Sequence, residues 1–113
     1  MSTIPEIKAD PMYQLLRDDK VEEFNERRAK GEPCNLQNAD LRGLDLRGLD
    51  ARGLDLRGCY FRQADLRGID FREARLEGAS IKGAKISGAY FPSGLEAAEL
   101  DLSLNHGTRM RYK

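Results

Sequence analysis

Carboxylates recur in this sequence at a fixed distance from guanidinium groups: Asp40 and Arg42, Asp45 and Arg47, Asp50 and Arg52, Asp55 and Arg57, Asp65 and Arg67, Asp70 and Arg72 each stand two residues apart. A row of aspartates invites a general acid or base, but acid/base work needs two titratable groups whose environments push their pKa values apart. Repeats of one local environment single out no such pair. With an arginine beside each aspartate, the row reads as a solvated surface that neutralises itself. His106 is the sole histidine; it precedes a turn glycine, has no nucleophile next to it, and reads as a surface or capping residue. One histidine gives no zinc-ligand spacing, and Cys34 and Cys59 are too few for a disulfide scaffold. No nucleophile with its base, phosphate loop or ligand cluster is present, so the chain reads as no enzyme, without catalytic, cofactor-binding or metal residues.

The elements that position these side chains follow from a period of five. Apolar residues return at Leu36, Leu41, Leu46, Ala51, Leu56 and Phe61, and again at Leu66, Phe71, Leu76, Ile81, Ile86 and Phe91. Two residues before each stands a small or apolar residue, from Cys34 and Ala39 to Ala84 and Ala89, and glycine closes most units. A helix asks for apolar residues about every 3.6 positions and a strand for every second one. Neither fits. A five-residue period puts a turn in every unit, with a short extended piece whose centre points inward and a glycine that relieves the bend.

Units of this form, loosely Ala-Asp-Leu-Xaa-Xaa over residues 34–93, resemble the pentapeptide-repeat family, as a small bacterial member. The resemblance implies an all-β solenoid: a right-handed quadrilateral parallel β-helix of about three coils, with residues twenty apart stacked in columns. At about 4.8 Å per paired layer the column is only about 14 Å tall. Its open ends would expose unpaired main-chain groups and apolar side chains, so caps are required.

The division expected is an N-terminal arm and helical cap over 1–33, the repeats over 34–93, and a C-terminal cap with a basic tail over 94–113. Asp10-Pro11 reads as an N-cap with proline at the first helical position, followed by Met12, Leu15 and Leu16 on one face. Asp19 with Glu22 resembles a capping box opening a second helix, which carries Val21 and Phe24 and stops at Gly31 and Pro33. Phe24 is expected to fill the space left by Ala51, the one small centre. Leu95, Ala98, Leu100, Leu102 and Leu104 fit either a helix ending near Gly107 or a strand leading to a hairpin at Asn105-His106-Gly107, the helix being favoured. Cys34 and Cys59, at inward positions, are expected to be buried, unlinked thiols.

Lys plus Arg and Asp plus Glu both number 19, so overall charge points neither to nucleic acid nor to an anionic membrane. The first residues lack the charged and apolar regions of a secretory signal, and no apolar run approaches a membrane span, so the expected location is cytoplasmic. Twenty-residue register stacks Arg42, Arg62 and Lys82 beside Asp40, Tyr60 and Ser80, a basic strip with a tyrosine at its middle. Arg42, Tyr60, Arg62 and Lys82, with Arg109 and Arg111 of the tail, are therefore the candidate partner-binding residues. The function expected is a non-enzymatic protein-interaction or scaffold module with an unidentified protein partner, with homo-oligomerisation open. The alternative, implied by the family resemblance, is a DNA-mimic modulator of a type II topoisomerase. That role asks for a long acidic rod, whereas this repeat carries ten basic and eight acidic residues.

Overall fold

The structure is a computed structural model that describes residues 4–113; residues 1–3 of the arm expected over 1–33 lie outside the described residues. In the repeat region the chain turns once per unit. The carbonyl of an inward centre accepts from the N–H three residues on, as in Leu49 to Leu46 (3.0 Å) and Ala64 to Phe61 (2.9 Å). The third residue of the turn adopts the left-handed conformation, as at Gly48 (φ 87°) and Gly68 (φ 75°), a position type II turns reserve for residues tolerating positive φ. Asn38 and Gln63 take that conformation without being glycine, at φ 61° and 59°.

Residues twenty apart meet through parallel main-chain bridges: Asp40 with Tyr60 and Tyr60 with Ser80, Asp45 with Asp65 and Asp65 with Lys85, Asp55 with Arg75, and Asp70 with Tyr90. At one of them Leu46 N–H donates to the Asp65 carbonyl (3.0 Å) and Asp65 N–H to that of Leu44 (2.8 Å). The expectation of an all-β solenoid, a quadrilateral parallel β-helix, is corrected here. Among the described residues there is no β-strand and no sheet; every bridge is isolated, and the regular secondary structure is three α-helices. The reason is the length of the unit. Each five-residue repeat turns once, so the turns cut the pairing after a single residue, and a ladder of consecutive pairs never develops.

The repeats enclose a core in which Leu41, Leu46, Leu56, Phe61 and Leu66 are wholly buried. Phe71 and Phe91, twenty apart, stack with ring centroids at 5.6 Å and an interplanar angle of 19°, and Phe61 tilts against Phe71 at 6.3 Å. Below them lie α1 (Pro11–Arg17) and α2 (Val21–Ala29). Asp10 caps α1 as its sequence indicates, its carboxylate accepting from Met12 N–H at 2.8 Å, with proline in the first turn. Met12, Tyr13, Leu15 and Leu16 face the core. The capping box expected at Asp19 does not form. Asp19 sits in the connecting turn at φ 62°, and Lys20 occupies the N-cap of α2 without a side-chain cap. Phe24 is wholly buried in the core that also holds Ala51.

At the other end α3 (Ala97–His106) resolves the helix-or-hairpin choice in favour of the helix. It ends at Gly107, left-handed at φ 74°, whose N–H donates to the Ser103 carbonyl. The tail returns to the repeats: Met110 N–H donates to Ala79 and its carbonyl accepts from Gly78, both at 2.8 Å.

Candidate interaction surface

The Asp and Arg side chains form forked ion pairs within one unit. Arg67 places Nε 2.9 Å and Nη2 2.7 Å from the two oxygens of Asp65, while the Asp65 carboxylate also accepts from its own Arg67 N–H. The same fork joins Asp45 to Arg47, Asp50 to Arg52, Asp55 to Arg57 and Asp70 to Arg72. These guanidinium hydrogen bonds hold the carboxyls of Asp50, Asp55, Asp65 and Asp70 down to about 2. Hydrogen bonds to the charged form stabilise it, so the row is ionised and occupied at neutral pH and offers no proton donor. Among the described residues no group of His, Cys, Asp and Glu is placed to hold a metal ion.

The basic strip departs from this pattern because Tyr60 takes the place that aspartate holds in the units of Asp40, Asp45, Asp50, Asp55, Asp65 and Asp70. Arg42 makes its ion pair with the buried Asp40 at 3.2 Å and lies over the Tyr60 ring, its guanidinium carbon 5.9 Å from the centroid. Arg62, with no aspartate in its own unit, reaches the Tyr60 hydroxyl at 3.4 Å. Tyr60 thus gathers two cations from successive levels, a cation–π contact above and a hydrogen bond beside it. Lys82 continues the column, but the end of α3 crosses there. The Ser80 hydroxyl donates to the Gly107 carbonyl at 3.2 Å, and a methyl group added to Gly107 would come within 3.1 Å of Lys82 Cδ.

The two tail residues take other places. Arg109 Nη1 donates to the carbonyls of Gly58 (2.8 Å) and Gly78 (3.0 Å), clasping two levels of the repeat. Arg111 is exposed and pairs with Glu99 of α3 at 3.5 Å. The structure therefore brings Arg42, Tyr60 and Arg62 together with Lys82 at the covered end, and does not add Arg111 to them. A second aromatic pair was open to the same register argument: Tyr90 is 57% exposed, with Arg72 4.8 Å from its ring centroid. Its signal was the replacement of aspartate by tyrosine at an outward position, as at Tyr60.

Both cysteines are free, as expected. Cys59 is buried, its thiol donates to the Leu36 carbonyl at 2.8 Å, and burial pushes its pKa up to about 12. Cys34 is only half-buried, because it opens the first unit. Among the described residues no helix is long and apolar enough to cross a membrane.

The family model for pentapeptide repeats matches residues 34–68 and 55–91, counting eight copies. Comparison with curated proteins and with solved structures finds no match. The repeat family points to a module that engages other proteins. Together, the five-residue period, the bridges at twenty-residue spacing and a match over more than half of the chain establish that the protein belongs to the pentapeptide-repeat family.

Proposed function

We propose that this chain is a non-enzymatic protein-interaction module of the cytoplasm, and that it engages an acidic strip on its partner through Arg42, Tyr60 and Arg62, with Lys82 at the margin. The observation that carries this reading is the arrangement around Tyr60. Elsewhere on the repeats Arg47, Arg52, Arg57, Arg67 and Arg72 spend their forks on an aspartate of their own unit, and Arg75 pairs with Glu77. Arg62 instead leans on a phenol, which leaves its positive charge without a carboxylate among the described residues. An aromatic ring that holds two guanidinium groups in place lowers the ordering cost of binding and supplies apolar contact next to charge. A DNA mimic, by contrast, would present uncompensated acidic groups, and the forked pairs leave none along the aspartate row.

The test is a triple charge reversal, Arg42→Glu, Arg62→Glu and Lys82→Glu. The triple variant should lose stability because Arg42→Glu removes the partner of the buried Asp40, so it is paired with Arg62→Glu alone, which breaks no carboxylate pair among the described residues and should melt close to the wild type. Partner capture from the native cell should be salt-sensitive with the wild-type protein and lost with the variants. Capture that survives reversal would place the interaction surface elsewhere.

A further inference from the structure

The lower edge of the repeats, formed by residues 34–53, is closed face by face, and one face is left open. On the face of Asp40, the main chain of Glu6 makes a two-bond bridge: its N–H donates to the Asn38 carbonyl (2.7 Å) and its carbonyl accepts from Asp40 N–H (2.8 Å). Ten residues on, the side-chain amide of Asn25 reproduces that bridge, donating to the Gly48 carbonyl (2.9 Å) and accepting from Asp50 N–H (3.0 Å). On the face of Asn35, the Asp10 carboxylate accepts from Asn35 N–H at 2.9 Å. The equivalent pair between them is the Gly43 carbonyl and the Asp45 N–H. No described residue engages either one.

Asp45 forms one wall of an open groove of about 940 Å³ whose other wall is the start of α2. Its charged lining is Asp19, Glu22, Glu23, Glu26 and Asp45 against Lys20 and Arg47. Arg47 is already held by Asp45 (2.7 Å) and Asp65 (3.4 Å), and Glu23 by Arg27 (3.5 Å). Glu22 and Glu26 are exposed. The groove thus sets an excess of negative charge beside Asp45, whose main-chain N–H is vacant, and the vacant Gly43 carbonyl lies on the same edge two residues before it.

The geometry points to a docking site for an extended, lysine-bearing peptide segment of a partner protein, which bridges Gly43 and Asp45 as Glu6 bridges Asn38 and Asp40. An extended segment is required, because a helix has already spent its main-chain groups internally. Main-chain bonds supply the pairing and the carboxylates select basic side chains. The tail of this chain is not the occupant: Arg109, Arg111 and Lys113 are engaged at the opposite end with Gly58, Glu99 and Glu96. This site is separate from the Tyr60 strip and does not depend on it.

The probe is the capped peptide Lys-Val-Lys-Val-Lys, added to the full chain at low salt while amide exchange and amide NMR shifts are followed. In the free protein Asp45 N–H should exchange faster than Asp40 and Asp50 N–H, and saturating peptide should slow it by about tenfold or more. The double variant Glu22→Lys, Glu26→Lys should weaken binding by about tenfold. The same peptide with N-methylated amides, and its Glu-Val-Glu-Val-Glu counterpart, should fail to protect Asp45. Asp45 protected in the free protein, no binding at millimolar peptide, equal binding of the N-methylated peptide, or shifts confined to other faces would each overturn the assignment.

Discussion

The two ends of the repeat column solve one problem with different means. At the lower end, side chains do most of the sealing: Tyr13 and Arg17 donate to the Asp40 carbonyl, Arg28 to those of Asp50 and Arg52, and Asn25 to that of Gly48. At the upper end, α3 and the tail contribute more main chain. Gly83 N–H donates to Leu104 and Gly78 N–H to Met110, while the Ser103 and Tyr112 hydroxyls accept from Ile81 and Leu76. Side-chain seals are discrete, so they can cover some faces and omit another, which is how the Asp45 face comes to be open. Asn25 and Arg28 also sit nearer to water than Ser103, which is fully buried.

The largest effect should come from the apolar anchors. Phe24→Ala removes a wholly buried ring from the lower end and should cost about 3–5 kcal/mol; Met110→Ala at the upper end should cost about 2–5 kcal/mol. Chemical denaturation measures both. A loss under 1 kcal/mol for either, on the scale of about 3 expected, would mean that its end is not a structural part of the column. Next come the polar seals, where the contrast is sharpest. Ser103→Ala strands Ile81 N–H away from water and should cost about 1–3 kcal/mol, whereas water can replace Asn25 after Asn25→Ala, at about 0.5–1.5 kcal/mol. Equal costs would erase the distinction between a buried and a wet seal.

The smallest effect belongs to the body between the ends, through its forked ion pairs. With folded carboxyl values of about 2 and unfolded values near 3.9, the stabilisation is complete above about pH 5 and is lost progressively as pH falls toward 2. Melting temperature should hold steady between neutrality and about pH 5, then fall, and the fall should shrink in salt because the pairs are exposed. A flat profile down to pH 2 would show that the forks do not stabilise the fold.

Much of this was legible in the sequence where the determinants are local. Asp10-Pro11 announces α1, Phe24 its buried role, and the twenty-residue register puts Tyr60 between Arg42 and Arg62. Two features escaped. The resemblance suggested strands because it describes the stacking, but the turn in every unit leaves isolated bridges. Asp19 has the composition of a cap, yet the tight connection after α1 forces it into the left-handed region. The leucines of α3 fit two periods at once, and the favoured helix ending near Gly107 is the one that forms. The covering of Lys82 by Gly107, and the sealing of the edge by Asn25 and Arg28, rest on contacts between residues over twenty positions apart, which no local pattern encodes.

The bridge made by Glu6 and the one made by Met110 lie on the same face, against Asn38 and Asp40 below and Gly78 and Ala79 above. This alignment makes the chain's length quantised. Duplicating a block such as residues 54–73 would raise the column by about 4.8 Å and return the upper segment to the same face. Inserting a single five-residue unit would carry α3 and the tail round to the neighbouring face. There Tyr112, Ser103 and Arg109 would meet different edge groups, so growth in this architecture proceeds by whole circuits, and an unpaired unit is an error in phase before it is a change in size.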